Sequence, residues 1–238
     1  GAWTGRRSRM SDSQKMQIRL EESWKQIRKA HAGPPLYGST DIYAYDQAYL
    51  FASNNRWNPR PGMQSYSAYT LELAQLNEQH LRGINAPDNV LFRVQPMDGR
   101  LPSLEDGVSW PALFDNYTVT RLDDTLAYLR KKPAIQNSTA FQITSEGTYK
   151  TGVAVVLPKY KDPLYAQVDL RLTWLGKLAA TLFKPPQLTL TLKLWNGTSK
   201  QYRVISNMMR SGFFISPFVQ NTKDFVILAT ENQDYLSS

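Results

Sequence analysis

Cysteine is absent from this sequence. That excludes disulfides, thiolate metal ligands and thiol nucleophiles together, while leaving the redox compartment open. Histidine is almost absent as well: His31 and His80 are the only two, far apart and each in a segment that reads as helix. A histidine-rich metal site is thereby excluded. A Ser-His-Asp triad would have to use one of them, and no G-x-S-x-G elbow supports it. His80 reads as a half-buried helix residue. Neither G-x-x-x-x-G-K-[ST] nor G-x-G-x-x-G occurs, so the sequence writes no phosphate cradle, and neither cofactor nor metal is expected. No apolar run approaches the roughly 18 residues that cross a bilayer. The longest, 153–157 and 213–219, have the length of strands. Residues 1–10 are basic but no apolar stretch follows them, so they do not read as a signal peptide. The expectation is a water-exposed fragment of a longer protein.

What is present describes a globular protein. Hydrophobic residues make up 42% and charged residues 20% of the 238, and aromatics reach 12%, which suits one large core or two modest ones. The net charge of +8 suggests nucleic acid until it is located. Residues 1–32 hold eight basic and three acidic side chains, which leaves only +3 for the other 206. A basic end on a near-neutral body fits an interfacial or juxtamembrane segment better than a nucleic-acid surface, and no nucleic-acid partner is expected.

Periodicity divides the chain in three. In residues 1–32, Ser11 or Asp12 can cap a helix whose stripe is Met16, Leu20, Trp24, Ile27 and His31, stopped by Gly33-Pro34-Pro35. Residues 33–132 alternate strand and helix, the pattern of a small α/β, Rossmann-like unit with parallel crossovers. Residues 41–52 begin as a strand and finish as a short helix. Thr70 caps a helix over 71–82 with Leu73, Leu76, His80 and Leu81 near one face and Gly83 as its stop. Residues 90–94 read as a strand, 109–117 as a short helix with Pro111 in its first turn, and 119–122 and 126–129 as further strands. Residues 133–238 change style. Val168, Leu170, Leu172 and Trp174 alternate with polar neighbours, as do Leu188, Leu190, Leu192 and Leu194. Asn196-Gly197 marks a hairpin returning over 201–205. With strands also expected at 152–157, 212–219 and 225–229, and a short helix or lid at 175–183, the economical packing is an antiparallel β-sandwich of jelly-roll type. The fold class expected is therefore α+β.

Two loops are richer in functional residue types than packing requires. Residues 56–69 interleave Arg56, Trp57, Arg60, Gln64, Tyr66 and Tyr69 on a backbone stiffened by Pro59 and Pro61. Arg60 suits bidentate recognition of phosphate or carboxylate, and the aromatic rings suit stacking on a sugar. The same loop also reads as a rigid crossover covering a sheet edge. Residues 98–107 follow a strand at what would be the carboxyl end of a parallel sheet, where α/β sites gather. Asp98, Glu105 and Asp106 are a tight carboxylate group able to bind a cation or act as acid and base, with Arg100 beside them. Turn chemistry explains them equally: an Asx turn at Asp98-Gly99, an internal pair for Arg100, and a helix start at Glu105-Asp106.

These loops carry a resemblance. Residues 50–61, running Leu-Phe-Ala-Ser-Asn-Asn-Arg-Trp-Asn-Pro-Arg-Pro, then Gln64-Ser65-Tyr66-Ser67-Ala68-Tyr69-Thr70, then residues 98–106, resemble blocks in a family of large uncharacterised bacterial polytopic membrane proteins. Gly212-Phe213-Phe214-Ile215-Ser216-Pro217 and Asp224-Phe225 resemble its C-terminal block. In that family a many-helix membrane portion, in some members likened to glycosyltransferases that use lipid-linked sugars, precedes a soluble region of this kind. The family offers no catalytic residues to carry over, and its loop often has Arg-Pro-Arg-Pro where this chain has Asn58-Pro59-Arg60-Pro61. The resemblance implies an extracytoplasmic domain tethered to a membrane-embedded portion of the same polypeptide, binding a glycan, lipid-linked sugar or other cell-envelope component. Two alternatives stand beside it: a carboxylate-dependent hydrolase or transferase using Asp98, Glu105 or Asp106 with Arg60, and a purely structural assembly domain.

Overall fold

The structure is a computed structural model and describes residues 2–30, 33–43, 45–124, 126–171, 173 and 187–236. His31, Leu172, Trp174 and the expected helix or lid at 175–183 lie outside the described residues.

The first helix, α1 (Ala2–Ala30), runs through Ser11 without interruption instead of starting there. Residues 12–23 are exposed, so most of the expected apolar stripe faces solvent; Met16 is 72% and Leu20 45% exposed. Near the helix's end Trp24, Ile27 and Arg28 are half-buried, and Arg28 Nη1 donates to the Ala52 carbonyl at 3.0 Å. Then follow β1 (Ser39–Tyr43), α2 (Gln47–Ala52), β2 (Arg56–Trp57), α3 (Leu71–Arg82), β3 (Asn89–Phe92), α4 (Ser109–Asn116), β4 (Tyr117–Asp123) and β5 (Leu126–Lys131). The strands form one five-stranded sheet in the order β2-β1-β3-β5-β4. As expected for the α/β unit, β1 pairs parallel with β2 and with β3, the latter in the register Asp41 to Val90 and Tyr43 to Phe92. Beyond β3 the expectation of parallel crossovers fails. β5 closes a hairpin with β4, the connection from Asp123 to Leu126 being too short for a crossover, and β5 runs antiparallel to β3.

Alternation sorts the sheet's side chains. Tyr43, Val90, Phe92, Ala127 and Leu129 face one way and pack with Leu81 of α3 and with Trp110, Leu113 and Phe114 of α4. Ile42, Leu91, Leu126 and Tyr128 face the other way, against Leu50 of α2. Covering both faces is why β1 and β3 are buried along their whole length. α2 and α3 therefore lie on opposite faces, and the strand order reverses between β1 and β3. In open α/β sheets that reversal leaves a crevice at the carboxyl ends of the strands.

The C-terminal region departs from the jelly-roll expectation. Among the described residues its strands form two separate two-stranded antiparallel sheets, not a sandwich: β6 (Leu164–Ala166) with β9 (Phe213–Ser216), and β7 (Leu188–Lys193) with β8 (Ser199–Val204). The β7–β8 hairpin is the one foreseen at Asn196-Gly197. Gly197 takes φ 81°, and Asn196 Oδ1 accepts from the Thr198 amide at 3.0 Å. Residues 152–157, expected as a strand, form turn and coil with no ladder. Residues 225–229, also expected as a strand, belong instead to the last helix, α6 (Thr222–Leu236), which follows the short α5 (Ser206–Ser211). The reason is local. Asp224 Oδ2 accepts the amides of Gln220 and Asn221, and Asn221 Oδ1 accepts that of Asp224, which starts a helix. The buried positions Phe225, Leu228 and Ala229 then follow a helical period. α6 packs into the core of the first sheet: Phe225 is fully buried, with its ring 3.8 Å from that of Phe92 and 5.1 Å from that of Phe114. A further core joins Leu101 and Leu104 to Val204, Met208, Met209 and Phe213.

Candidate functional site

The two loops singled out in the sequence pack against each other at the carboxyl ends of β1 and β3. Arg60 is the centre of the contact and is 1% exposed. Its Nη1 donates to Asp41 Oδ2 at 2.9 Å and to the Ile42 carbonyl at 2.7 Å, and its Nη2 donates to Ser65 Oγ at 2.9 Å. Its guanidinium lies 3.6 Å over the ring of Tyr43, and its Nε is 3.6 Å from Asp106 Oδ2. Asn77, buried on the Ala74 and Leu81 face of α3, ties the same loops together. Its Oδ1 accepts the Gly62 amide at 2.7 Å, and its Nδ2 donates to Asp106 Oδ2 at 3.0 Å. Arg100 forms a second bridge, donating to the Tyr66 carbonyl at 2.9 Å and to Tyr69 Oη at 3.1 Å, with Glu105 Oε1 3.6 Å away. Gly107 lets the second loop pass close against the backbone at Gly212. A Cβ there would stand 2.3 Å from the Gly212 carbonyl and 2.6 Å from that of Ser103, so only glycine fits.

The remaining sequence candidates divide. Gln64 accepts a short hydrogen bond from Tyr66 Oη within its own loop. Tyr69 keeps 41% exposure. Trp57 packs on the opposite face of the sheet, beside Leu50, and its Nε1 reaches Asp41 Oδ1 at 3.3 Å. Asp98 leaves the cluster altogether: it has φ 52° and pairs with Arg203 at 3.0 Å on the exposed surface. The three carboxylates of the 98–106 segment thus point to three different places.

What stays open is a crevice beside this cluster, with a volume of about 20 Å³, lined by Tyr43, Tyr45, Ser65, Tyr66, Phe92, Arg93, Val94, Gln95, Pro102, Glu105 and Trp110. That space holds about one water, or one polar substituent of a larger molecule. The outer part of the lining is aromatic: Tyr45 is 39% exposed, with its ring edge-on to Tyr66 at 6.5 Å. Among the described residues, three that line the crevice carry buried polar atoms with no hydrogen-bond partner of ordinary geometry: Tyr43 Oη, Arg93 Nε and Gln95 Oε1. Asp41, Tyr43, Asn77, Arg93, Gln95 and Ser109 were not identified from the sequence. The signal for Asp41 was a carboxylate inside a buried strand pattern, and for Asn77 a polar residue at the helical spacing of Ala74 and Leu81.

Burial dominates the electrostatics. It raises the Glu105 carboxyl from its ordinary 4.5 to about 7, against the pull of the Met97 amide and of Arg100. It raises Asp106 from 3.8 to about 6, against the attraction of Arg60. The Asp106 shift has a simple sense: Asp41 and Asp106 share one guanidinium, so a proton on the more weakly held Asp106 neutralises the buried site. Burial and the charge of Asp106 also raise Tyr43 well above the ordinary tyrosine range, so its hydroxyl stays neutral. Ser109 neighbours both Tyr43 and Asp106 and lowers the pKa of each, although its Oγ makes no hydrogen bond of ordinary geometry.

A pH dependence follows. Both raised carboxyls bind a proton more tightly folded than unfolded, so their contribution is complete below their ordinary values and is lost as pH rises through about 6 to 7. The urea midpoint should therefore fall between about pH 5 and about pH 8. Glu105→Gln should flatten much of that slope; an unchanged slope in the variant would refute the assignment to Glu105.

No protein-family model, curated protein or solved structure matches the chain.

Proposed function

We propose that the chain is a non-catalytic extracytoplasmic domain, accessory to a membrane-embedded portion of the same polypeptide, that holds a sugar unit of a glycan or other cell-envelope component at the crevice between β1 and β3. The observation that carries the reading is the crevice itself. Where the strand order reverses, residues bearing three buried polar atoms unpaired among the described residues line a space the size of one hydroxyl, with Tyr45 and Tyr66 in the same lining. A pocket that closes over one polar substituent while aromatic rings lie against the rest of the molecule suits a ring with polar edges and apolar faces. α1 supports a tether: it is exposed over residues 12–23, and residues 1–32 hold eight basic and three acidic side chains.

The carboxylate-dependent hydrolase or transferase has less support. Acid and base catalysis at one bond needs two groups facing one space. Here Glu105 lines the crevice, Asp106 turns toward Arg60 and Asn77, and Asp98 is at the surface with Arg203.

The test is a panel of mono- and oligosaccharides read by thermal shift and by tryptophan emission, since Trp110 lines the crevice. Arg93→Ala should weaken binding about tenfold or more, the loss expected for a hydrogen bond from a charged donor. Tyr66→Ala should weaken it similarly, whereas Trp57→Phe, on the opposite face of the sheet, should leave it unchanged. A panel in which no saccharide shifts the protein would dismiss the reading.

A further inference from the structure

Away from the crevice, the described surface exposes most apolar side chain where it lacks regular structure. Residues 150–161 form turn and coil. Within them Val153, Val155, Val156, Leu157 and Tyr160 are 57, 48, 86, 36 and 52% exposed. Beside them the β7–β8 turn presents Trp195, 83% exposed. The two segments meet: Lys159 Nζ lies 5.0 Å over the Trp195 ring. Leu157, Pro158, Lys159, Tyr160, Trp195 and Ser216 line a groove of about 260 Å³ between them. Scattered exposed aliphatics need no explanation, but a contiguous group with an open groove marks an interaction surface.

Charge identifies the occupant. Residues 149–162 contain Lys150, Lys159 and Lys161 and a single acidic residue, Asp162. A second copy of this chain meeting the first across a two-fold axis would set these lysines against their own images, and lysine is depleted from the cores of protein interfaces. Anionic lipid headgroups meet them with the opposite charge. Tryptophan and tyrosine beside lysine and short aliphatics are also the side chains that settle at the boundary between headgroups and acyl chains. We propose that this groove is a membrane-surface contact. Trp195, Tyr160 and Val156 enter the headgroup region of an anionic bilayer, and Lys150 and Lys159 meet lipid phosphates. The contact uses none of the crevice residues, so failure of the sugar reading leaves it standing.

The experiment is sedimentation of the whole chain with vesicles of phosphatidylcholine alone or mixed with phosphatidylglycerol. Wild type should pellet with the anionic vesicles and much less with the neutral ones, and added salt should release it. The double variant Trp195→Ala, Val156→Asp should lower the partition coefficient about tenfold or more. Both positions are exposed, and an unchanged far-ultraviolet circular dichroism spectrum checks that the variant folds. Wild type that ignores both kinds of vesicle overturns the proposal. So does a double variant that binds as well as wild type, or a concentration-dependent dimer without vesicle binding, which would assign the surface to a second copy.

Discussion

Arg60→Met should be among the most damaging single changes in the protein, lowering the unfolding free energy by about 3–5 kcal/mol, as when one partner of a buried ion pair is removed. The substitution leaves Asp41 and Asp106 in a site that is 0–1% exposed, with their cation gone. It also strands the Ile42 carbonyl and the Ser65 hydroxyl, which accept from the guanidinium. Arg60→Lys should recover little, because one ammonium cannot donate in both directions while lying flat on the Tyr43 ring. Mild acid should partly rescue Arg60→Met by protonating the orphaned carboxylates. Urea unfolding followed by circular dichroism measures all three effects. A variant as stable as wild type would show that the two loops are held by something other than this cluster. The outcome also separates two roles for Arg60, since a ligand clamp on the surface would lose affinity on substitution and keep its stability.

Phe225→Ala is expected to cost about 3–5 kcal/mol, the range for removing a large aromatic side chain from a closed core. Phe225 stacks on Phe92 and Phe114 and meets the edge of Trp110 at 5.3 Å. Those rings sit on β3 and α4, so the loss should appear in the unfolding of the first sheet and not only in the C-terminal region. Near-ultraviolet circular dichroism, which reports the aromatic cluster, should lose its signal at the same urea concentration as the far-ultraviolet signal of the sheet. A variant that loosens only the C-terminal segment and leaves the sheet at wild-type stability would contradict the placement of α6.

Both predictions turn on features that local patterning does not encode. Where a signal is short-range it was legible. Thr70 caps α3 by accepting the Leu73 amide at 3.3 Å, Gly83 ends the helix, and Asn196-Gly197 makes its hairpin. The strand-to-helix change over 41–52 was also readable, because β-branched and aromatic residues give way to alanine and leucine. The run 225–229 misled because five apolar-rich residues fit a buried strand as well as a helix; the deciding bonds come from Asn221 and Asp224 just before it. Antiparallel pairing of β5 with β3 is a tertiary outcome with no local signature. The candidate loops were correctly picked as special, but arginine, aspartate and asparagine look alike whether they face a ligand or each other. Only the contact between the loops shows that Arg60 and Asp106 face inward, while Glu105, the next residue in the chain, lines an open space.

The burial of Phe225 also bears on the order in which the protein can mature. During vectorial synthesis Tyr43, Phe92 and Trp110 emerge long before residue 222, and until α6 arrives the part of their core that Phe225 fills is open. The same holds for the Val94 amide, whose acceptor is Thr222 Oγ1 at 3.0 Å. The core of the first sheet is therefore completed only when α6 docks. It waits, with an aromatic surface exposed to chaperones and to aggregation, for the chain's last described helix.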